Sequence, residues 1–239
     1  MQKTLLVTLS LISTLITTSA YSQTWFEFGL KGGPSATFLM NNNIFEDMEF
    51  NHKLTPTYFY AGKLGINFGP HNGIALHAGG TKVRQNFINQ YPNKAFSERS
   101  FSSNVIEFGA LYHRTSVSGY FEIGPRISLV RNPTMMDDTG ERIAIENNLN
   151  NSYYGADIGF GGYMIGNERI SLMMGIRVSY GITPISDTDR PFTESIVSEI
   201  YSTQKSTHVM SAMLCFELNY SLGYLVRSSC GDRTNWISF

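Results

Sequence analysis

SGYFEIGPRISLVRN, residues Ser118 to Asn132, decides how the chain is read. Taken with a period of two it splits into two faces. Phe121, Ile123, Pro125, Ile127 and Leu129 fall on one, and Glu122, Gly124, Arg126 and Ser128 on the other. Successive side chains of a strand point to opposite sides, so this segment has an apolar and a charged face. It is longer than the usual globular strand of about 5–6 residues. It exceeds the roughly 9–11 residues that a tilted strand needs to cross a bilayer.

The same design recurs. Alternating runs fall at about 24–40, 57–69, 74–88, 101–114, 118–132, 152–165, 169–182 and 207–226. One such run is a weak signal, but eight in succession are hard to obtain by chance. The connections between them alternate too. Pro70–Gly73, Thr115–Val117 and Gly166–Glu168 are short and carry turn residues. Asn41–Pro56, Asn89–Ser100, Asn132–Asn151 and Thr183–Ser206 are long. A membrane barrel has short turns at one end and long loops at the other, whereas a soluble sandwich has no reason to sort its loops by end. The pattern predicts an all-β fold: an eight-stranded antiparallel up-and-down transmembrane β-barrel, with both termini periplasmic and the loops outward.

Composition fits. The chain has 239 residues, 42% of them hydrophobic and 15% charged, with 22 Gly, 13 Tyr and 16 Phe. A net charge of −1 leaves no basic footprint, so nucleic acid is not expected as a partner. Lys3, the apolar run Leu5–Ile16 and the small residues Ala20 and Ser22 read as a secretory signal cleaved before Gln23. The run is too short for a spanning helix, and no Cys follows it for a lipid anchor. The expected division is therefore signal peptide 1–22, barrel 23–227 and periplasmic C-terminal tail 228–239. Export makes Cys215 and Cys230 eligible for a disulfide, but one sits mid-strand and the other in the tail, so both are expected to be free.

Alternation alone does not say which face is inside. A lipocalin-like barrel would place the apolar face inward. Against that, the polar face is rich in Gly and sparse in charge, unlike a water-facing surface. Tyr58, Tyr60, Tyr112, Tyr120, Tyr153, Tyr180, Tyr220 and Tyr224 also gather near strand ends, as girdles require. With the polar face inward, the lumen holds Glu27, Glu107, Glu122, Asp157 and Glu217 against Lys31, Lys63, Arg126 and Arg177. Eight strands leave an interior that side chains can fill, which favours a paired plug over a selectivity ring. His77 and His113 share the inward parity and are expected to be hydrogen-bonded there.

No nucleophile elbow, HExxH, P-loop or EF-hand pattern is present, so no catalytic residue, metal or cofactor is assigned. Asp137, Asp138 and Glu141 lack the ligand spacing of a calcium loop and read as a solvated acidic segment. His52, His208 and Ser100 belong near the outer rim, with nothing in the sequence to bring them together.

Three stretches resemble the PorT-like small outer-membrane barrels of Bacteroidota. These are Gln23–Gly33 (QTWFEFGLKGG), Ala61–Gly69 (AGKLGINFG) and Phe121–Arg126 (FEIGPR). The resemblance covers the mature chain and implies an outer-membrane barrel, with a link to protein secretion for some members. Barrels of this kind often end on the last strand with an aromatic, whereas here Ser228–Phe239 continues past it. The function expected is structural or interactive: loops displayed for adhesion or for docking with an envelope complex, in contact with outer-membrane lipid. Apolar loop residues, among them Ile44, Phe45, Met48, Phe50, Met135, Met136, Phe192 and Ile196, suggest a partner surface or loops folded onto one another. A narrow channel and a lipid-modifying enzyme are the alternatives.

Overall fold

A computed structural model of the chain describes residues 24–46, 50–53, 55–69, 71–89, 98–116, 118–136, 140–145, 149–166, 169–188 and 204–222. The signal segment, the tail and Tyr224 lie outside these residues, as do Cys230, Met48, Asp137, Asp138 and the apolar residues of 189–203. The described residues form ten strands and one short helix: β1 (Thr24–Met40), α1 (Asn42–Glu46), β2 (Phe50–Lys53), β3 (Thr55–Phe68), β4 (Asn72–Asn89), β5 (Glu98–Thr115), β6 (Gly119–Met136), β7 (Arg142–Ala144), β8 (Ser152–Gly166), β9 (Ile170–Gly181) and β10 (His208–Leu222).

Eight of the strands close a ring. The order runs β4, β3, β1, β10, β9, β8, β6, β5, and β4 pairs with β5 to complete it. Each neighbouring pair is antiparallel. Each of these eight strands is therefore paired on both sides, which is what a membrane demands of strands. β2 adds to the far end of β4, and β7 to the far end of β6. Both are short additions at the long-loop end. The three short turns lie at the other end, where β1 begins and β10 stops.

The inside and outside follow the alternation. Phe26, Phe28 and Leu30 of β1, Ile74 and Leu76 of β4, Phe108 of β5 and Ile176 of β9 are exposed on the outer wall. Glu27 and Lys31 of β1, Glu107 of β5 and Arg177 of β9 are buried. The inward glycines are needed for space. A Cβ on Gly109 would sit 2.2 Å from the His77 ring, and one on Gly159 would sit 2.7 Å from Glu122 Cγ. In a lumen this narrow, a bare position on one strand makes room for a long side chain on its neighbour.

Three features depart from the sequence reading. First, β4, β5 and β6 run to 18 residues each, because their alternation continues into the segments read as loops. Towards the long-loop end of these strands the polarity inverts. On β5 the outward side chains are Tyr112, Phe108 and Ile106, and then Asn104 and Ser102. The inward ones change from His113 and Glu107 to Val105 and Phe101. Second, Tyr120 and Tyr153 do not join the girdle. Tyr120 shares the parity of Glu122 and Tyr153 that of Asp157, and both are buried inside, while Tyr154 points out at 59% exposure. Third, Ile44 and Met135 are not a partner surface. They are buried with Leu39, Val83, Phe87, Phe101, Val105, Val130, Ile145, Leu149, Ile185 and Val209 in one apolar cluster at the long-loop end. Phe45 remains 48% exposed. Phe50 lies in β2.

Candidate functional site

The lumen concentrates the chemistry of the molecule. All nine charged residues assigned to it by parity are buried. Six form one continuous chain of alternating sign. Lys63 pairs with Glu27 of β1 and with Glu217 of β10, the latter at 2.5 Å. Lys31 Nζ lies 2.7 Å from Glu217 Oε2 and 2.9 Å from Glu122 Oε2. Arg177 completes the series, donating to Glu122 Oε1 from Nη2 at 2.5 Å and from Nε at 2.9 Å.

The Lys31–Glu122 contact decides the shape of the lumen. β1 and β6 are four strands apart in either direction around the ring, so they are opposite walls. A 2.9 Å ion pair between them bridges the full width of the barrel. Lys63 and Arg177 each reach two strands across.

The other three charges form a second group. Arg126 pairs with Glu107 on β5 and lies 3.2 Å from Asp157 Oδ1 on β8. Its guanidinium is 5.9 Å from the centre of the Tyr153 ring, within cation–π reach. His77 adjoins this group, with Nε2 3.7 Å from Asp157 Oδ2, too long for a hydrogen bond. Neither His77 ring nitrogen has a hydrogen-bond partner among the described residues, in contrast to the expectation for an interior histidine. The crowding behind Gly109 holds the ring in place instead. His113 stacks on Tyr120 with centroids 5.6 Å apart. Sequence reasoning missed the inward roles of Tyr120 and Tyr153, although the even spacing of Tyr120 from Glu122 and of Tyr153 from Asp157 carried the signal.

The rim residues do not converge. Ser100 on β5 donates to Asn86 Oδ1 at 2.8 Å, while His208 on the opposite wall contacts the Gly181 carbonyl at 2.9 Å. His52 sits in β2, paired with Phe87. Cys215 is buried and free. Among the described residues, no group of three or more His, Cys, Asp or Glu is arranged to hold a metal.

No protein-family model and no curated protein matches the chain. It is similar to solved small barrels. Neisserial surface protein A is 13% identical, over 81% of this chain and 96% of that one, with a TM-score of 0.39. The attachment invasion locus protein Ail of Yersinia pestis, bound to the heparin analogue sucrose octasulfate, is 10% identical over 82% and 99%, with a TM-score of 0.39. The outer membrane protein OprG of Pseudomonas aeruginosa is 9% identical over 83% and 98%, also at 0.39. The likeness is one of architecture. The closed ring of pairings, with an apolar outside and a charged inside, is itself the description of a transmembrane barrel.

Proposed function

We propose that this chain is a bacterial outer-membrane barrel with a sealed lumen, acting as a structural or interaction protein through its long-loop end. Export by a cleaved signal and the resemblance to PorT-like barrels support that compartment. The observation that carries the sealed lumen is the Lys31–Glu122 pair joining opposite walls. A conducting pore needs a continuous file of water, and this pair, extended by Lys63, Glu217 and Arg177, occupies its path. Above it an apolar cluster fills much of the same interior, where an ion would lose its hydration.

The role follows from what is left on display. Charges neutralised against one another inside serve stability and leave the long-loop end as the surface available to a partner. A binding role with an envelope protein or an external surface suits this arrangement better than catalysis.

The test is conductance. Purified barrel in planar bilayers is expected to show no ion channels, while a variant losing both sides of the bridge, Lys31→Ala with Glu122→Ala, is expected to leak. Stable channels from the unaltered protein would overturn the sealed reading and favour a narrow solute channel. Cross-linking from intact outer membrane, read against a barrel lacking the loop residues 189–203, tests the partner.

A further inference from the structure

We propose that the outer wall of β4–β6, where the apolar belt ends, is a binding site for the phosphorylated headgroup of a glycolipid in the leaflet on the long-loop side. The register places the cations. Lys82 pairs with Asn104, and Asn104 with Arg131, so Lys82 and Arg131 stand in one row across three strands. Strand spacing separates them by about 10 Å, and Arg84 lies about 7 Å further along β4. All three have outward parity, since Thr81, Val83 and Gln85 are the buried partners on β4 and Val130 on β6.

The row sits at a boundary. One step below it are Gly80, Ile106 and Leu129, with Ile106 41% exposed to lipid. Tyr60 covers Gly80 from outside, its hydroxyl 2.8 Å from where a Cβ would be. On β8 that row meets Ser152, and Tyr154 stands one outward row below it, opposite Ile127. Tyrosines at this height sit at the headgroup level of a bilayer. Cations immediately above them meet lipid phosphates. The neighbours in the two rows are Asn104, Ser102 and Thr134, all neutral. Among the described residues, none forms an ion pair with Lys82, Arg84 or Arg131.

The glycolipid part rests on the adjoining cleft. A depression of about 280 Å³ lies between the end of β6 and the residues before β8, lined by Leu129, Arg131, Asn132, Asn150, Asn151 and Ser152. Asn132 adopts a left-handed backbone, φ 48°, which breaks the alternation and leaves both it and Arg131 exposed. Amide and hydroxyl side chains around an apolar floor suit the hydroxyls and ring face of a sugar. The polarity gives a direction. Asn150 Nδ2 donates to Asp187 Oδ2 at 3.0 Å, so a carboxylate stands beside that end of the cleft and repels phosphate. The phosphate therefore belongs at Arg131, whose planar guanidinium binds it bidentately, with Lys82 and Arg84 taking a second phosphate.

The inference rests on the membrane placement proposed above, and the experiment separates the two. Full-length barrel is reconstituted in phosphatidylcholine nanodiscs carrying diphosphoryl lipid A, with insertion scored by heat-modifiable gel mobility and bound lipid by native mass spectrometry. The combined Lys82→Gln, Arg84→Gln, Arg131→Gln variant is expected to insert normally and to retain at least about tenfold less lipid A. Ser152→Trp, which fills the cleft and keeps all three cations, is expected to weaken retention as well. Dephosphorylated lipid A and phosphatidylglycerol are expected to bind the unaltered barrel no better than diphosphoryl lipid A binds the triple variant. Equal retention by the unaltered and triple-variant barrels would overturn the site. So would displacement of lipid A by inorganic phosphate, which would mark a site for a free anion. Failure of the unaltered barrel to insert counts against the membrane placement instead.

Discussion

On β5, Ile106 and Asn104 are separated by one residue, yet the wall obeys opposite rules on either side of them. Towards the short turns the outside is apolar and the inside holds Glu107 and His113. Towards the long loops the outside carries Asn104 and Ser102, and the inside holds Val105 and Phe101. β4 changes at the same row, from Ile74, Leu76 and Ala78 outside to Lys82 and Arg84, and β6 from Ile127 and Leu129 to Arg131. The backbone ladder is continuous through the change, so solvent rather than secondary structure sets the pattern. Lipid outside rewards an apolar wall and forces polar groups inward, where they must be paired. Water outside restores the ordinary arrangement of an apolar core under a polar surface. One strand thus serves two solvents, and its sequence shows where one gives way to the other.

The two regions should fail in different ways. Glu122 pairs with Lys31 and Arg177 together, so Glu122→Gln strands the buried Arg177 and leaves Lys31 only Glu217, which Lys63 already shares. It is expected to cost about 3–5 kcal/mol, the largest effect, read as a lowered urea midpoint for the barrel in phospholipid vesicles. Adding Arg177→Met is expected to restore part of that loss. No recovery would mean that the lower interior is held by packing, as the upper one is. In the upper region Phe87→Ala removes a fully buried ring from the apolar cluster, with an expected cost of about 3 kcal/mol and no compensating partner. If Phe87→Ala leaves stability unchanged, the upper interior is not a core and the contrast fails there.

Much of this was legible in the chain, for reasons particular residues make plain. The ring and its polarity were readable because Glu122, Gly124, Arg126 and Ser128 alternate without error against Phe121, Ile123, Pro125 and Ile127. The loop asymmetry was readable because turn residues cluster at only three of the seven connections. The inversion was not read, because Val83, Phe87 and Phe101 fall inside the runs 74–88 and 101–114 but on the face taken as polar, and Met135 falls in a segment read as a loop. A period of two is blind to which face is which, and only the solvent changes its meaning. The bridging of opposite walls was also beyond the sequence. Lys31 and Glu122 are 91 positions apart, and their contact depends on barrel closure and side-chain reach.

A third change tests the lipid side of the boundary. Ile176 lies on the outer wall of β9 at 45% exposure, between Met174 and Val178. Ile176→Arg is expected to cost about 2–4 kcal/mol in a bilayer, if the position lies near the midplane, and less in detergent micelles that deform around the charge. An equal cost in both media would place Ile176 against protein rather than lipid.

The smallest expected effect sharpens the boundary most. Asn104 is two residues from Ile106, has the same outward parity and is flanked in register by Lys82 and Arg131. If the bilayer ends between these rows, Asn104→Gln exchanges one hydrated amide for another and should change stability by no more than about 0.5 kcal/mol. Ile106→Gln, one step below, places the same amide against hydrocarbon and should cost clearly more, because no water satisfies it there. The pair shares strand, face and substituted residue, so the difference between them isolates solvent. Repeating both in lipids with shorter acyl chains should shrink that difference as the hydrocarbon surface drops below Ile106. A difference that ignores chain length would show that the change of rule at this row comes from local packing and not from the edge of the membrane.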